Sequence, residues 1–315
     1  MRHKRATIIY NPMSGRPGRR AENVRQMIAL LGDHQIEALA DATTGPDDAS
    51  KLAREAVGAG ADIIISYGGD GTLNEVIQGV AGSQTALAVW PGGTSNVVAR
   101  DLGVPFSIRE LADMIAASKT QRIALGLAKR GDGRTRSVGD AATNSPSPGL
   151  PHSRYFVMMA GIGLDASIAR GVNKKLKRRT GEFAYWLSGI RHLFLWRAEP
   201  FTIEVDGTSY KGAFALIGNG KGYGGGMMMT PGARLEEPWF EIYILPPLAS
   251  NFSYLRALGA CMRGNPEVAG VSLIRGKHIK ANSAHEPWVE ADGEIIGPLP
   301  MTFDIVPDAL SVIVP

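Results

Sequence analysis

A glycine-rich turn that contains one acid is the part of the sequence whose residue types could do chemistry. Ile63 to Ile65 form a β-branched apolar run, which is typical of a strand buried on both faces of a parallel sheet. Gly68-Gly69-Asp70-Gly71 follows, and these glycines are expected to allow positive φ and the close approach of a ligand. Thr72 offers a hydroxyl that could cap a helix beginning at Leu73. A strand, a glycine turn and a helix start together form the place where open α/β folds bind phosphates.

Asp70 makes this segment more than a tight turn. A lone glycine cluster can simply be a turn that needs glycine. A carboxylate among phosphate-binding amides is electrostatically unfavourable unless a Mg²⁺ ion or a proton to be removed lies beside it. Phosphoryl transfer supplies both, so the position of Asp70 predicts a role in that reaction.

Two more polar loops follow predicted strands in the first part of the chain. Residues 11–16 follow a strand predicted at 6–10, and residues 91–96 follow one at 86–89. The remaining elements alternate in the same way: helices are predicted at 19–31, 48–57, 73–80 and 97–102, and another strand at 35–39. Such alternation indicates βαβ units and a parallel sheet. Because parallel strands end at one edge of a sheet, the three loops are expected to converge on one ligand.

The pattern changes after about residue 121 to short strand-like runs separated by turn residues. These runs lie at 123–127, 155–159, 201–205, 214–217, 240–245, 271–274, 288–290, 303–306 and 310–314. They predict a mostly β second domain, a sandwich or a barrel, interrupted by helices at 182–194 and 252–262. We therefore expect an α/β domain at 1–121 and a β domain at 122–302, with the tail 303–315 returning to the first. Residues 130–152 are expected to form a disordered loop, since they are polar and lack apolar periodicity.

Composition excludes several classes of protein. The 315 residues contain one cysteine, which excludes an internal disulfide and suits a reducing cytosol. No apolar run is long enough for a transmembrane helix, and the basic N-terminus lacks the pattern of a secretory signal. The net charge of +4 is too small to indicate a nucleic-acid partner. Residues 193–197, with Trp196 beside arginines, could contact a membrane surface.

In order and spacing, these motifs resemble the diacylglycerol kinase-like lipid kinases, which include bacterial lipid kinases, sphingosine kinases and ceramide kinases. Members carry N-P-x-S-G, G-G-D-G-T followed by N-E, and P-x-G-T-x-N, found here at 11–15, 68–75 and 91–96. The likeness continues through Asn219-Gly220 to Asp292-Gly293-Glu294. It implies an NAD-kinase-like α/β domain followed by a β-sandwich domain, with the active site in the cleft between them. The implied reaction transfers the γ-phosphoryl group of ATP to the hydroxyl of a lipid, diacylglycerol or a sphingoid base.

The resemblance also implies roles for particular residues. Asp70, Asp292 and Glu294 are the candidates for the carboxylate that accepts the hydroxyl proton, although Asp-Gly alone also predicts a hairpin turn. The implied cofactors are ATP and Mg²⁺. The implied nucleotide site comprises Asn11, Ser14, Gly15, Arg16, Thr43, Gly68, Gly69, Gly71, Thr72, Leu73, Asn74, Glu75, Gly93, Thr94 and Asn96.

A structural Mg²⁺ site is implied in the second domain. Members of the family often use an Asp-Gly there, whereas this chain has Glu237-Pro238. Glu237, with the carbonyl oxygens of Arg234 and Trp239, is the candidate site. The longer Glu arm and the rigid proline fit the octahedral geometry of Mg²⁺ less well.

Two other functions compete with a lipid kinase. An NAD kinase shares the GGDGT turn, but the loops at 11–15 and 91–100 argue against it. A non-catalytic lipid-binding protein of the same fold is suggested by Glu237 and by Val97 and Ala124, which stand where many members have Asp. The expected partner is a lipid at a membrane surface. We expect a cytoplasmic protein without a transmembrane segment that reaches this lipid from the cytoplasm. A homodimer is one expected assembly.

Overall fold

A computed structural model describes residues 4–13, 18–131, 152–163, 199–223, 227–228, 230–248, 250, 252–254, 256, 271–285 and 287–315. The chain divides into two compact units. The first comprises Met1–Leu125, Leu235–Glu237 and Val306–Pro315, and the second comprises Gly126–Arg234 and Pro238–Ile305. The helix predicted at 182–194, the membrane contact predicted at 193–197, and most of the loop at 130–152 and the helix at 252–262 lie outside the described residues.

Strands and helices alternate in the first unit, as predicted. The strands are β1 (Lys4–Tyr10), β2 (Ile36–Ala42), β3 (Ile63–Gly68) and β4 (Ala86–Pro91), and the helices are α1 (Arg19–Asp33), α2 (Asp48–Gly58), α3 (Asp70–Val80), α4 (Val97–Asp101) and α5 (Ile108–Ala117). Helix α5 is absent from the sequence-based prediction, although its buried Leu111, Met114 and Ile115 have helical spacing.

The first-unit strands form a parallel sheet in the order β2-β1-β3-β4. The end of a long strand, β18 (Met301–Ile313), pairs in parallel with β4 through Ser311 and Val312. Every residue of β3 is buried, as the β-branched run predicts. The chain order reverses at β1, which lies between β2 and β3. Open α/β sheets bind ligands at the carboxyl ends of the strands beside such a reversal.

The second unit is mostly β-strand. Its strands are the end of β5 (Thr120–Arg130), then β6 (Ser153–Phe156), β7 (Met159–Ile162), β8 (Phe201–Val205), β9 (Thr208–Gly212), β10 (Phe214–Gly218), β11 (Gly222–Tyr223), β12 (Met227–Met228), β13 (Phe240–Leu245), β14 (Ser272–Gly276), β15 (His278–Asn282), β16 (Trp288–Ala291), β17 (Glu294–Pro298) and the start of β18. The run predicted at 155–159 is two strands, and the two closing strands predicted at 303–306 and 310–314 are one, β18.

Two layers of antiparallel strands enclose the core of the second unit. One is a six-stranded sheet in the order β14-β13-β10-β7-β16-β17, and β8 and β15 belong to the other. Phe156, Ile217, Phe240 and Phe303 are fully buried in one cluster, to which both layers contribute. This arrangement confirms the predicted sandwich. No helix in the described ranges is long and apolar enough to cross a bilayer.

Candidate active site

The strands that carry the three loops of the first unit end at the same level. Tyr10 on β1 is paired with Tyr67 on β3, which in turn is paired with Trp90 on β4. The loops that follow these strands therefore leave from one edge of the sheet. Of the first loop, Ser14, Gly15 and Arg16 lie outside the described residues, so their contact with a nucleotide stays a prediction.

The glycine turn after β3 is shorter than predicted, because helix α3 begins at Asp70 and not at Leu73. Gly69 is the N-cap residue in an extended conformation, and no side chain caps the helix. The prediction that Thr72 caps the helix is therefore wrong: Thr72 lies within it. The expectation of positive φ at Gly68, Gly69 and Gly71 is also wrong, since none of them has it.

The glycines are needed for close approach of two loops. A Cβ atom on Gly93 would lie 2.5 Å from the Cα atom of Gly69, and one on Gly69 would lie 3.3 Å from the Cα of Gly93. Beside this contact, the Gly92 amide donates a hydrogen bond to the Gly68 carbonyl at 2.8 Å. Side chains at Gly69 or Gly93 would force these loops apart.

Asn96 holds the third loop in place. Its Oδ1 accepts a hydrogen bond from the Gly93 amide at 2.8 Å, and its Nδ2 donates to the Gly93 carbonyl at 2.9 Å. Asn96 is buried and left-handed, with φ of 45°. Thr94, between these two residues, is exposed. Asn96 thus shapes the loop, and Thr94 is the side chain that the loop presents to solvent.

Asp70 connects the second loop to the third. Its Oδ1 accepts a hydrogen bond from the backbone amide of Val97, the first residue of α4, at 2.8 Å. The carboxylate also lies in the first turn of α3, where the helix dipole favours negative charge. A small pocket next to it is lined by Ser66, Gly68, Leu73, Pro91 and Asn96 together with Asp70.

Asn74 and Glu75, on α3, have local partners in the fold. Asn74 is buried, and its Oδ1 accepts a hydrogen bond from Gln78 Nε2 at 3.0 Å. Glu75 Oε2 accepts from the Ala49 amide, in the first turn of α2, at 3.3 Å. Both residues support the packing of α3, and their contact with a nucleotide stays a prediction.

Asn11 and Thr43 begin the loops after β1 and β2. Asn11 Oδ1 accepts a hydrogen bond from the Met13 amide at 2.9 Å, and the Thr43 amide donates to the Tyr10 carbonyl at 2.9 Å. These bonds set the direction in which each loop leaves the sheet. A role of either residue in nucleotide binding stays a prediction.

Asp48 adds a negative charge to the loop after β2. The backbone amide and hydroxyl of Thr44 donate hydrogen bonds to its carboxylate at 2.8 and 3.0 Å, and these bonds lower the pKa of Asp48. The side chain is ionised at neutral pH and links the first residue of α2 to Thr44 in the preceding loop.

In the second unit, Asp292 and Gly293 form the hairpin turn that joins β16 to β17, with φ of 48° and 82°. The hairpin reading of Asp-Gly is therefore confirmed. The Asp292 carboxylate accepts hydrogen bonds from the amides of Val157, Met158 and Met159, at 2.7, 2.9 and 3.1 Å. These three bonds hold the carboxylate against the segment that leads into β7 and so anchor the turn.

A second Asp-Gly turn repeats this arrangement. Asp206, between β8 and β9, also has φ of 48°, and its carboxylate accepts from the amides of Lys277 and His278 at 3.0 and 2.9 Å. In both turns the Asp amide donates to a neighbouring strand at 3.0 Å, from Asp292 to Met159 and from Asp206 to His278. No motif marks Asp206, so this geometry by itself is a way of anchoring a hairpin.

Glu294, two residues after Asp292, is a partly exposed acid of this turn. Its Oε2 lies 2.6 Å from Nη2 of Arg154, and the Glu294 side chain is 40% exposed while that of Arg154 is 10% exposed. The partly buried arginine thus orients a carboxylate that reaches solvent.

The predicted metal site at Glu237 gains no support from side chains. No group of three or more His, Cys, Asp and Glu side chains collects in the described part of the chain. A site built from Glu237 and the carbonyl oxygens of Arg234 and Trp239 stays a prediction.

Comparison with known proteins identifies the family. Residues 5–128 match the family described as "Diacylglycerol kinase catalytic domain", and residues 158–314 match the "YegS C-terminal NAD kinase beta sandwich-like domain". A diacylglycerol kinase of Bacillus subtilis (strain 168) is 32% identical over 305 residues, which cover 95% of this chain and 93% of the relative. The chain belongs to the diacylglycerol kinase family. A diacylglycerol kinase of Staphylococcus aureus (strain MRSA252) is 30% identical over 306 residues, covering 95% of this chain and 89% of the relative.

Solved structures agree with this fold. A putative diacylglycerol kinase from Bacillus anthracis str. Sterne has a TM-score of 0.78 at 23% identity, covering 99% of this chain and 95% of that one. A second structure of a diacylglycerol kinase from that organism has a TM-score of 0.73 at 24% identity, covering 99% and 97%. Membership of the diacylglycerol kinase family confirms the predicted lipid kinase activity with ATP as phosphate donor. The NAD kinase and non-catalytic alternatives gain no support from these matches.

Proposed function

We propose that this diacylglycerol kinase family member transfers the γ-phosphoryl group of ATP to the free hydroxyl of diacylglycerol. The observation that carries the proposal is the close contact of two glycine loops beside Asp70, in a chain whose relatives are named diacylglycerol kinase. The substrate lies in a membrane, so the protein visits the cytoplasmic membrane surface without crossing it.

The loops after β3 and β4 suit the phosphates of ATP. Backbone amides at the start of α3 point out of the helix without intrahelical partners, and such amides bind anions. Gly69 and Gly93 keep this surface free of side chains, and the exposed Thr94 adds a hydroxyl. These features support nucleotide binding at this edge of the sheet.

Asp70 is the carboxylate that best fits the chemistry. One of its oxygens is held by the Val97 amide, and no other described residue donates to its carboxylate. The second oxygen is therefore available to accept the proton of the lipid hydroxyl. Val97 stands where many relatives have Asp, so at this position only a backbone amide adjoins Asp70.

Mg²⁺ fits the same carboxylate, because oxygen ligands and phosphate oxygens are what this ion prefers. When bound, Mg²⁺ supplies charge neutralisation to the transferring phosphoryl group. Asp70 would hold it on the protein side.

The two acids of the second unit have different proposed roles. Asp292 positions the turn, because its carboxylate is occupied by three amides. Glu294 is the second candidate for the base, since it is accessible and oriented by Arg154.

A phosphorylation assay tests the proposal. Purified protein is given labelled ATP and Mg²⁺ with micelles that contain diacylglycerol, sphingosine or ceramide, and with NAD in a separate reaction. We expect label on diacylglycerol alone and a requirement for Mg²⁺. Asp70→Asn should lower the rate by about 10²–10⁴-fold, and Glu294→Gln should lower it less. Label on sphingosine, ceramide or NAD, but not on diacylglycerol, would overturn the proposed substrate.

A further inference from the structure

Arg20 is a charged residue buried in the first turn of α1. It is 5% exposed and shares the buried face of that helix with Val24, Met27 and Leu31. Burying a guanidinium costs free energy unless its N–H groups are bonded. A basic residue on an apolar helical stripe is a signal that the sequence carries, but that motif analysis misses.

The guanidinium reaches the carboxyl edge of the sheet. Its Nη2 donates a hydrogen bond to the Gly92 carbonyl at 2.5 Å, and its Cζ lies 4.2 Å from the ring centroid of Tyr67. The Tyr67 ring stacks on Trp90, with centroids 3.7 Å apart and an angle of 12° between the planes. The Tyr67 hydroxyl accepts from Asn23 Nδ2 at 2.7 Å. Arg20, Tyr67 and Trp90 form one column, which we call the Arg20 column.

The absence of a side chain at Gly92 leaves room for this contact. A Cβ atom there would lie 2.8 Å from Nη2 of Arg20 and 2.9 Å from Cε2 of Tyr67. Such distances are not seen for real Cβ atoms. Gly92 has ordinary negative φ, so the need for glycine comes from Arg20 and Tyr67 and not from the backbone conformation.

Gly92 precedes the glycine that touches the second loop. The Arg20 hydrogen bond ends on Gly92, its neighbour Gly93 packs on Gly69, and Gly69 is the N-cap of α3. We propose that Arg20 is a positioning residue, which fixes the loop after β4 against β3 and so sets the spacing of the amides that bind ATP. This inference rests on the proposed function for the nucleotide site, but not on the identity of the lipid.

Equilibrium binding of ATP tests the inference without any lipid. Calorimetry is carried out on the wild type, Arg20→Ala, Arg20→Lys and Arg25→Ala. Arg25 is the matched control, since it lies on the same helix, is exposed and pairs with Glu22. We expect Arg20→Ala to weaken ATP binding by at least about tenfold, because the amides that bind the phosphates would lose their fixed spacing. Arg25→Ala should bind as the wild type does, and Arg20→Lys should fall between.

Chemical rescue separates positioning from a general loss of structure. Guanidinium chloride at low millimolar concentration should restore part of the ATP affinity of Arg20→Ala, because the small cation can occupy the same cavity. It should change neither the wild type nor Arg25→Ala. Wild-type affinity in Arg20→Ala would overturn the inference, and so would weakened binding that guanidinium fails to restore.

A second pair of variants keeps the test decisive if Arg20→Ala does not fold. Gly92→Ala places a methyl group against the guanidinium, and Arg20→Lys in the same chain removes the planar group that it meets. If the two substitutions acted independently, their fold-losses in ATP affinity would multiply. The double variant should lose less ATP affinity than this product. Simple additivity would contradict the Arg20 column. A wild type that binds ATP but does not phosphorylate diacylglycerol would refute the proposed substrate alone.

Discussion

The backbone amide of Val97 donates a hydrogen bond to the carboxylate of Asp70 at 2.8 Å. The bond joins the first residue of α4 to the first residue of α3, and so it ties together the loops that follow β3 and β4. Because a main-chain group makes this contact, it does not depend on which side chain stands at position 97. Among the described residues, this amide is the one donor to the Asp70 carboxylate.

Asp70→Asn should separate the two uses of this carboxylate. Asparagine can still accept the Val97 hydrogen bond through Oδ1, so the free energy of unfolding should change by less than about 1 kcal/mol. Lipid phosphorylation should fall by about 10²–10⁴-fold, because the amide accepts no proton. Initial rates and denaturant unfolding measure the two effects.

Asp70→Ala serves as the comparison, since it removes the hydrogen bond as well. We expect its free energy of unfolding to be lower than that of Asp70→Asn by a further ~1–3 kcal/mol. The activities of the two variants should be equal. If Asp70→Asn phosphorylated lipid at the wild-type rate, Asp70 would not be the base.

Asp292→Ala should mainly affect folding. Three amides lose their acceptor, so the free energy of unfolding should fall by about 1–3 kcal/mol. Asp206→Ala is the matched control: it removes the same geometry from a more exposed turn with two amide donors and should cost less. Denaturant unfolding of both variants checks the expectation. An unchanged unfolding free energy in Asp292→Ala would argue that this acid is kept for catalysis.

Gly93→Ala should disturb the contact between the two glycine loops. Its Cβ atom would lie 2.5 Å from the backbone of Gly69, so one loop has to move. We expect a loss of about 1–3 kcal/mol in unfolding free energy, as for overpacking, together with weaker ATP binding.

Gly71→Ala is the stability control for Gly93→Ala. A Cβ atom on Gly71 meets nothing within 4 Å, and the residue lies in a helix. Alanine should leave the stability unchanged or raise it by about 0.5–1 kcal/mol. Equal destabilisation by both substitutions would show that space between the loops is not what selects glycine.

The ion pairs of Asp304 should make the stability of the second unit depend on pH. Burial alone would raise the pKa of Asp304, but contacts from His278 Nδ1 and from Lys129 Nζ, at 3.0 Å, together lower it. A lowered folded pKa adds stability above the unfolded value of about 3.9, and that stability is lost as pH falls through the folded value. Asp304→Asn should therefore cost up to about 1 kcal/mol at pH 6, since the group is partly exposed, and almost nothing well below pH 3.9.

Urea unfolding of the wild type and Asp304→Asn at pH 6 and at pH 3 measures this difference. Added salt at pH 6 should reduce it, because salt screens partly exposed charges. A difference between the two proteins that stays constant from pH 6 to pH 3 would contradict the assignment.

Local patterns were enough to predict much of the fold. The alternation of apolar runs predicted the parallel sheet of the first unit, because a strand buried on both faces must be apolar along its length. The Asp292-Gly293 pair predicted its hairpin, because few residues adopt positive φ at two consecutive positions. The ordered motifs also identified the family, since each one is a backbone requirement at a strand end.

Local sequence patterns could not predict contacts between residues that lie far apart in the chain. The partner of the Asp70 carboxylate is an amide 27 positions further along the chain. The amide donors to Asp292 come from a segment 133 to 135 positions away, and Arg20 is paired with a carbonyl 72 positions away.

The sequence by itself therefore predicted the alternating strands and helices of the first unit and most strands of the second, and it named acids whose chemistry stays a prediction. Only the tertiary structure decided what each acid is bonded to: Asp70 to one amide, Asp292 to three, and Glu294 to a guanidinium. The physical reason is that a carboxylate's basicity depends on its donors, and donors far apart in sequence become neighbours only when the chain folds.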